Sequence, residues 1–252
     1  MRLTNIKTWN GFSILEFLSD IELYYTLPAR VKANTAVIEG EEFKHISRVM
    51  RHQIGDTIYF TTGMGIIYYG EILSIEKELL TVSVIKHHIY KNNFSNIIFC
   101  LPKLKHPDRL EFALEKCTEL GITRFVVHNS LRAISKGEKL ERWNKILLTA
   151  MKQSLRSFLP VIEAITDYKD LIKLPGEKLI FDQNAKQSID ELILNQEKNY
   201  YFIFGPEGGL SEEELNEAGS KNIFKIAENR LRSETAVIKC ASIITHKALR
   251  EV

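Results

Sequence analysis

The sequence predicts a two-domain α/β protein, a small β-barrel followed by a parallel sheet covered by helices. Up to about Tyr90, short β-rich runs alternate with turn residues. Beyond Asn96, apolar runs of strand length alternate with longer stretches whose apolar residues recur at helical spacing. Tyr200 to Phe204 is an unbroken apolar and aromatic run that stops at Gly205-Pro206, as suits a strand buried on both faces. A chain of 252 residues is long for one core and comfortable for two.

Residues 1–20 fit neither pattern and read as an extension. Gly11 to Leu18 is too short for a signal core, is interrupted by Glu16 and lacks a small-residue cleavage site, so secretion is not indicated. Hydrophobic content of 44% with 26% charged residues is that of a soluble protein, and no apolar run reaches membrane-spanning length. The three cysteines, Cys100, Cys117 and Cys240, lie far apart and read as reduced core thiols of a cytoplasmic protein.

In the first domain, strands are expected at Thr57 to Phe60, Ile66 to Ile75 and Leu79 to Ile85. A helix from Glu41 to His52 interrupts them, with Phe43, Ile46, Val49 and Met50 on one face and Lys44, Arg48 and Arg51 on another at i, i+4, i+7. The polar stretch His87 to Asn96 reads as a linker, and His87-His88 has no further ligand nearby for a metal. Asn96 to Leu101 is the next strand. Asp108-x-x-Glu111 caps a helix with a Leu110, Ala113, Leu114, Cys117, Leu120 stripe, ended by Gly121. Then come a strand at Arg124 to Val127 and a helix from Glu138 to Ser157 that buries Leu140, Trp143, Leu147 and Met151, closed by Pro160. Leu179 to Phe181 is a buried strand and Ser188-x-x-Glu191 caps a helix. After Tyr200 to Phe204, Ser211 and Glu214 form a capping box that opens another. A strand at Ile223 to Ile226 leads to a helix from Ser233 to about Arg250.

Two of these turns have the composition of ligand loops. Gly205-Pro206-Glu207-Gly208-Gly209 lies between strand and helix, where open α/β sheets bind ligands, and its glycines allow close approach to the main chain. It has neither a following Lys-Ser/Thr nor the spacing of a dinucleotide fingerprint, and by itself it reads equally well as a bare βα turn. Ile226 to Val237, IAENRLRSETAV, comes after the next strand in the same way. Net charge is +2, yet Lys103 to Arg156 holds twelve Lys/Arg against six Asp/Glu. Such a block suits a phosphate-contacting surface, although solvated helices give the same count.

GPEGGLS and NRLRSETA, in this order and spacing, resemble the RsmE-type 16S ribosomal RNA (uracil-N3)-methyltransferases of the SPOUT superfamily. The likeness extends through Glu115 to Gly121, through Gln153 to Arg156 with Pro160, and through His45 to Arg51, covering nearly everything after Ile21. It implies a PUA-like barrel at 21–90, a trefoil-knotted parallel-sheet methyltransferase domain at 94–252, and a homodimer acting on 16S rRNA or the small subunit with S-adenosylmethionine and no metal. Carried over position by position, it implies cofactor contacts at Phe181, Asp182, Phe204, Gly205, Pro206, Glu207, Gly208, Gly209, Ile226, Ala227, Leu231 and Thr235. RNA contacts fall on Lys44, His45, Arg48, Arg51, Lys103, Arg109 and Arg132. Catalytic roles fall on Arg232, Glu234 and Arg156.

Chemically, the N3–H of uracil must be lost and the ring oriented for in-line attack. Glu234 is a candidate base, yet it lies in the first turn of a helix, where a carboxylate simply complements the dipole. Arg232 has the fixed donor fork that would stabilise a uracil anion or grip a phosphate. The chain departs from the pattern at Leu131, where many relatives carry Glu before Arg132, at Ala227, which replaces a common Gly, and around Asp182-Gln183. Another SPOUT activity, on a different base or a ribose, is one alternative; a non-catalytic RNA-binding or ribosome-assembly protein is the other. The intact loops argue against the second, and the HISRVMR helix against the ribose enzymes.

Overall fold

The computed structural model describes residues 21–132, 139–218 and 222–248. The expected extension 1–20 lies outside them. The chain divides into two compact units, one holding the described residues up to Lys91 with Lys152–Phe158, the other holding Asn92–Met151 and the chain from Leu159 onward.

In the first unit, β1 (Leu23–Tyr25), β2 (Val31–Lys32), β3 (Thr35–Glu39), β4 (Thr57–Thr61), β5 (Ile66–Ile75) and β6 (Leu79–Ile89) form a six-stranded sheet ordered β1-β4-β5-β6-β3-β2. Only the β1–β4 pairing is parallel. Alternation along the strands sends Ala36, Ile38, Ile58, Phe60, Ile72, Leu80 and Val82 to one face. Tyr24 joins them there, with Phe43 of α1 (Gly40–Lys44) and Ile46.

Three expectations need correction in this unit. First, β6 runs through His87 and His88 to Ile89, past the expected end at Ile85, because Ile66 to Tyr69 pair with Ile89 to Lys86. Second, the helix expected to reach His52 leaves α geometry at Lys44. His45–Val49 is a π turn, with Met50 N–H donating to His45 O at 2.9 Å. The wider turn re-aims the side chains from His45 onward: Ile46 stays buried, whereas Val49 is 65% and Met50 42% exposed. Arg51 lies beyond the turn at φ 58°, so Lys44, Arg48 and Arg51 do not share one helical face. Third, Lys152–Phe158, which the sequence pattern groups with the second domain, packs within this unit. Gly65 N–H donates to Ser157 O at 2.8 Å, and Lys152 pairs with Glu42. Gly65 is required there, since a Cβ would stand 2.4 Å from the Phe158 ring at a φ of +85°.

The second unit contains, in chain order, β7 (Ile97–Pro102), α2 (Pro107–Glu119), β8 (Arg124–Asn129), α3 (Leu140–Gln153), β9 (Val161–Asp167), α4 (Tyr168–Leu171), β10 (Glu177–Phe181), β11 (Gln187–Ser188), β12 (Tyr200–Phe204), α5 (Glu212–Ala218), β13 (Ile223–Lys225) and α6 (Ser233–Ala248). Among the described residues the seven strands make one sheet ordered β11-β13-β10-β12-β7-β8-β9. Every pairing is parallel. All five residues of β12 are buried, as its unbroken apolar run predicts.

One face of the sheet packs Phe99, Phe125, Phe181, Phe202 and Phe204 against α2, Trp143 and Leu147 of α3, and Val237, Cys240 and Ile244 of α6. The other packs Ile98, Cys100, Val126, Ile180 and Ile203 against Tyr168, Leu171 and Leu215. Phe181 stacks on Phe204 at 5.1 Å between centroids, and Phe99 on Phe202 at 5.3 Å. Such pairs add about 0.5–1.5 kcal/mol beyond their buried area. All three cysteines are buried here, and desolvation pushes each thiol pKa up.

The second unit also departs locally from its sequence pattern. Pro107 opens α2 without a side-chain cap, and Glu111 is instead buried, accepting from Arg142 Nη2 at 2.6 Å. Leu140 is 43% exposed, so it does not join the buried face of α3. The Ser188/Glu191 capping box forms but opens only the single 3-10 turn Ile189–Glu191. β9 and α4 have no counterpart in the sequence reading.

Candidate active site

Parallel strands bring the loops after β10, β12 and β13 to one edge of the sheet, where they wall a cavity of about 800 Å³. Phe181 to Asn184 contribute one wall, Phe204 to Leu210 a second, and Ile226, Ala227 and Asn229 to Ser233 a third. Arg109 of α2, Arg132, Glu212 and Leu215 of α5, and Ala236 of α6 complete it. The Ser211/Glu214 capping box turns the chain out of the second wall: Ser211 N–H donates to Glu214 Oε2 at 2.7 Å and Glu214 N–H to Ser211 Oγ at 3.2 Å.

The glycines of this wall are unequal. A Cβ at Gly205 would stand 3.0 Å from Leu210 N, and Gly209 holds a φ of +70°. At Gly208 it would meet only the Arg132 side chain at 3.6 Å, an ordinary contact. Gly205 and Gly209 are thus the positions that need glycine.

Of the sequence-predicted cofactor residues, Phe181, Asp182, Phe204, Gly205, Pro206, Glu207, Gly208, Gly209, Ile226, Ala227 and Leu231 line this cavity. Thr235 does not; it is exposed, and the phase of α6 turns Ala236 inward in its place. Ala227 is absent from the residues with positive φ, so its methyl replaces glycine without backbone strain. The Asp182 carboxylate accepts from Asn184 N–H at 2.8 Å and shapes the loop, leaving Gln183 and Asn184 on the cavity wall.

Arg232 lines the cavity, and Glu234 is buried beside it. Arg109 stands between two carboxylates: its Nη1 is 3.8 Å from Glu207 Oε1 and its Nε 3.8 Å from Glu234 Oε1. Lys105 N–H also donates to Glu207 Oε1, at 3.2 Å. Glu234 Oε2 is buried without a partner. Arg132 donates from Nη1 to Gly208 O at 2.8 Å and Leu210 O at 3.3 Å. Arg156 is not part of this wall; it is exposed and belongs to the Lys152–Phe158 segment of the first unit.

The RNA candidates separate similarly. Arg48 and Arg51 are exposed, Lys44 pairs with Glu41 at 2.6 Å, and the His45 ring lies edge-on to Tyr24 at 6.0 Å. Lys103 is only 6% exposed, which takes it off any RNA-facing surface. Sequence reasoning missed Leu210, Glu212, Leu215, Asn229, Arg230, Ser233 and Ala236 on the cavity wall. Asn229, Arg230 and Ser233 sit inside the second motif, so its full span was the available signal. Among the described residues no group of three His, Cys, Asp or Glu could hold a metal ion.

Fold and cavity together define a ligand-binding parallel α/β domain whose pocket is walled by main-chain loops and arginines. The sequence model described as the RNA methyltransferase domain matches residues 91–245, and the chain belongs to that family. A second model, the RNA methyltransferase PUA domain, matches residues 38–85. The chain is 27% identical over 234 residues to ribosomal RNA small subunit methyltransferase E of Bacillus subtilis, covering 86% of this chain and 91% of that protein. It is 29% identical over 221 residues to the Aquifex aeolicus protein of the same name, covering 84% and 95%. Its fold matches the Neisseria gonorrhoeae ribosomal RNA small subunit methyltransferase E bound to S-adenosyl methionine with a TM-score of 0.80 at 25% identity, over 90% of this chain and 98% of that one. A probable rRNA-methyltransferase from Porphyromonas gingivalis matches with a TM-score of 0.80 at 26% identity, over 92% and 100%.

Proposed function

We propose that this chain transfers the methyl group of S-adenosylmethionine to N3 of a uridine in 16S ribosomal RNA. The observation that carries the reading is the single cavity walled by both motif loops, with Arg232 on its surface. The pocket fits the cofactor chemically. Phe181, Phe204, Ile226 and Leu231 offer apolar surface for a purine, and the main chain of three loops offers donors and acceptors for its edges. When bound, the cofactor supplies an electrophilic sulfonium methyl.

The protein's own residues then have distinct tasks. Arg232 presents a planar donor fork toward the cavity, suited to the negative charge that develops on uracil as N3–H is lost. Glu234, held against Arg109 and absent from the wall, acts as a support for the start of α6. On this reading the second unit carries the superfamily's trefoil knot, and Ser233 Oγ–H donating to Gly205 O at 2.7 Å supports it by seating the start of α6 against the GPEGG loop. Two chains pair as a homodimer, and the ribosomal substrate places the protein in the cytoplasm; no helix among the described residues is long and apolar enough to cross a membrane.

Calorimetry with S-adenosylmethionine tests the cofactor assignment, with saturable binding unaffected by a chelator as the expected result. Absence of heat at saturating cofactor, or loss of binding on chelation, would overturn it. Mapping the methyl group on 16S rRNA after a single turnover tests the base.

The RNA surface has its own test. Arg48 and Arg51 are exposed, and replacing both with alanine is expected to weaken RNA binding and flatten its salt dependence by about one log unit of slope per lost phosphate contact. Cofactor affinity is expected to stay unchanged. An unaltered salt slope would leave these cations as solvated surface.

A further inference from the structure

Three of the five carbonyl groups of the GPEGG loop, and those of Phe204 and Leu210 on either side of it, accept from donors of the protein. Phe204 O lies 3.1 Å from His128 Nε2, at the end of β8. Gly205 O accepts from Ser233 Oγ at 2.7 Å, at the start of α6. Pro206 O accepts from Gly209 N–H at 2.9 Å. Gly208 O and Leu210 O accept from Arg132 Nη1 at 2.8 and 3.3 Å. By contrast, among the described residues the N–H groups of Glu207 and Gly208 have no protein acceptor. Among the described residues the loop thus keeps the Glu207 and Gly208 N–H groups for a ligand, with the Glu207 and Gly209 carbonyls as its remaining acceptors.

The His128 contact fixes a tautomer. A carbonyl carries no proton, so Nε2 must be the protonated nitrogen, and in the neutral ring Nδ1 is then the acceptor. His128 is fully buried and Nδ1 has no partner, which leaves the ring tied to Phe204 through Nε2. Burial also lowers its pKa to about 4, which keeps the ring in this neutral, single-donor form near pH 7. Ser233 is 9% exposed and lines the cavity with the loop that it holds.

We infer that His128, Ser233 and Arg132 are positioning residues that tie back the carbonyls of Phe204, Gly205, Gly208 and Leu210, so that the loop presents the Glu207 and Gly208 N–H groups to an acceptor-bearing edge of the bound cofactor. They reach the loop from three separate segments, and each bond is made within the protein itself. The effect is preorganisation: a ligand need not order the loop, and donors fixed in place bind acceptors at lower entropic cost. Leu131 N–H donating to Glu214 Oε1 at 3.0 Å anchors the segment that carries Arg132. The inference rests on the cofactor reading of the cavity for its ligand, but not for its geometry.

Two variants and one rescue test it. His128→Leu and Ser233→Ala each leave a loop carbonyl without its donor. Each is expected to weaken S-adenosylhomocysteine binding about tenfold by calorimetry, at a temperature where the variant is folded. In the ligand-free protein, the amide resonances of Gly205, Gly208 and Gly209 are expected to shift or broaden. His128→Gln, which keeps a side-chain N–H donor, is expected to restore both readouts. Wild-type loop resonances and affinity in both deletion variants would overturn the inference, as would His128→Leu and His128→Gln behaving alike. If His128→Leu fails to fold, Ser233→Ala decides the matter. Should the wild-type protein bind no cofactor while the loop resonances still respond, the cofactor reading falls and the positioning role stands.

Discussion

Arg232→Lys is expected to slow methyl transfer to RNA on the order of a hundredfold, the scale for losing one preorganised donor, with cofactor affinity and thermal stability nearly unchanged. Arg232 O accepts from Ala236 N–H at 2.9 Å, so the first turn of α6 fixes its main chain. Its side chain is exposed on the cavity wall and makes no ion pair among the described residues, which leaves the guanidinium fork for a ligand. Lysine keeps the charge and loses the planar, two-pronged geometry. A role that is only electrostatic would survive the change; a bidentate one would not.

The companion variant is Glu234→Gln. Glu234 is buried, stands 3.8 Å from Arg109 and does not line the cavity, so near-normal turnover is expected. A general base would instead show a large loss, partly restored by alkali. Single-turnover methylation of a 16S fragment, with cofactor binding measured in parallel, separates these outcomes. Wild-type turnover by Arg232→Lys would remove Arg232 from the chemistry and leave it a phosphate clamp.

Both motif loops were legible because their signals are local. An apolar run of five residues marks β12, and a Gly-Pro break succeeded by a capping box marks where the chain turns and restarts. Of the wall from Ile226 to Ser233, Ile226, Ala227, Leu231 and Arg232 were legible for the same reason. What escaped depends on partners far along the chain. β6 continues through two histidines because β5 supplies its hydrogen bonds, not because those residues are apolar. The basic helix loses its shared face to one π turn, which no 3.6-residue pattern encodes. Thr235 and Ala236 exchange places by the phase of one helix position. Arg132 donates to main-chain carbonyls more than seventy positions along the chain. His128 carries no local signal at all: in sequence it is one polar residue after the apolar run Phe125 to Val127, and only the fold brings Phe204 O to its ring.

That buried histidine also gives the protein an expected acid sensitivity. Desolvation lowers the His128 pKa from the ordinary 6.5 to about 4, against the opposing pull of the Phe204 carbonyl and the Glu214 charge. The unfolded chain therefore binds a proton on this residue across the window between those values while the folded chain does not. Stability must rise with pH through that window and be fully present above the unfolded value. The whole span is worth about 3 kcal/mol at 1.36 kcal/mol per pKa unit, of which roughly 2 kcal/mol is lost between pH 7 and pH 5. His128→Gln has no titrating group here, so its stability is expected to fall by about that much less over the same interval. Denaturant unfolding of both proteins at pH 7 and pH 5 measures the difference directly. Parallel losses would mean that His128 binds its proton in the folded state, and that its ring is not held neutral against Phe204.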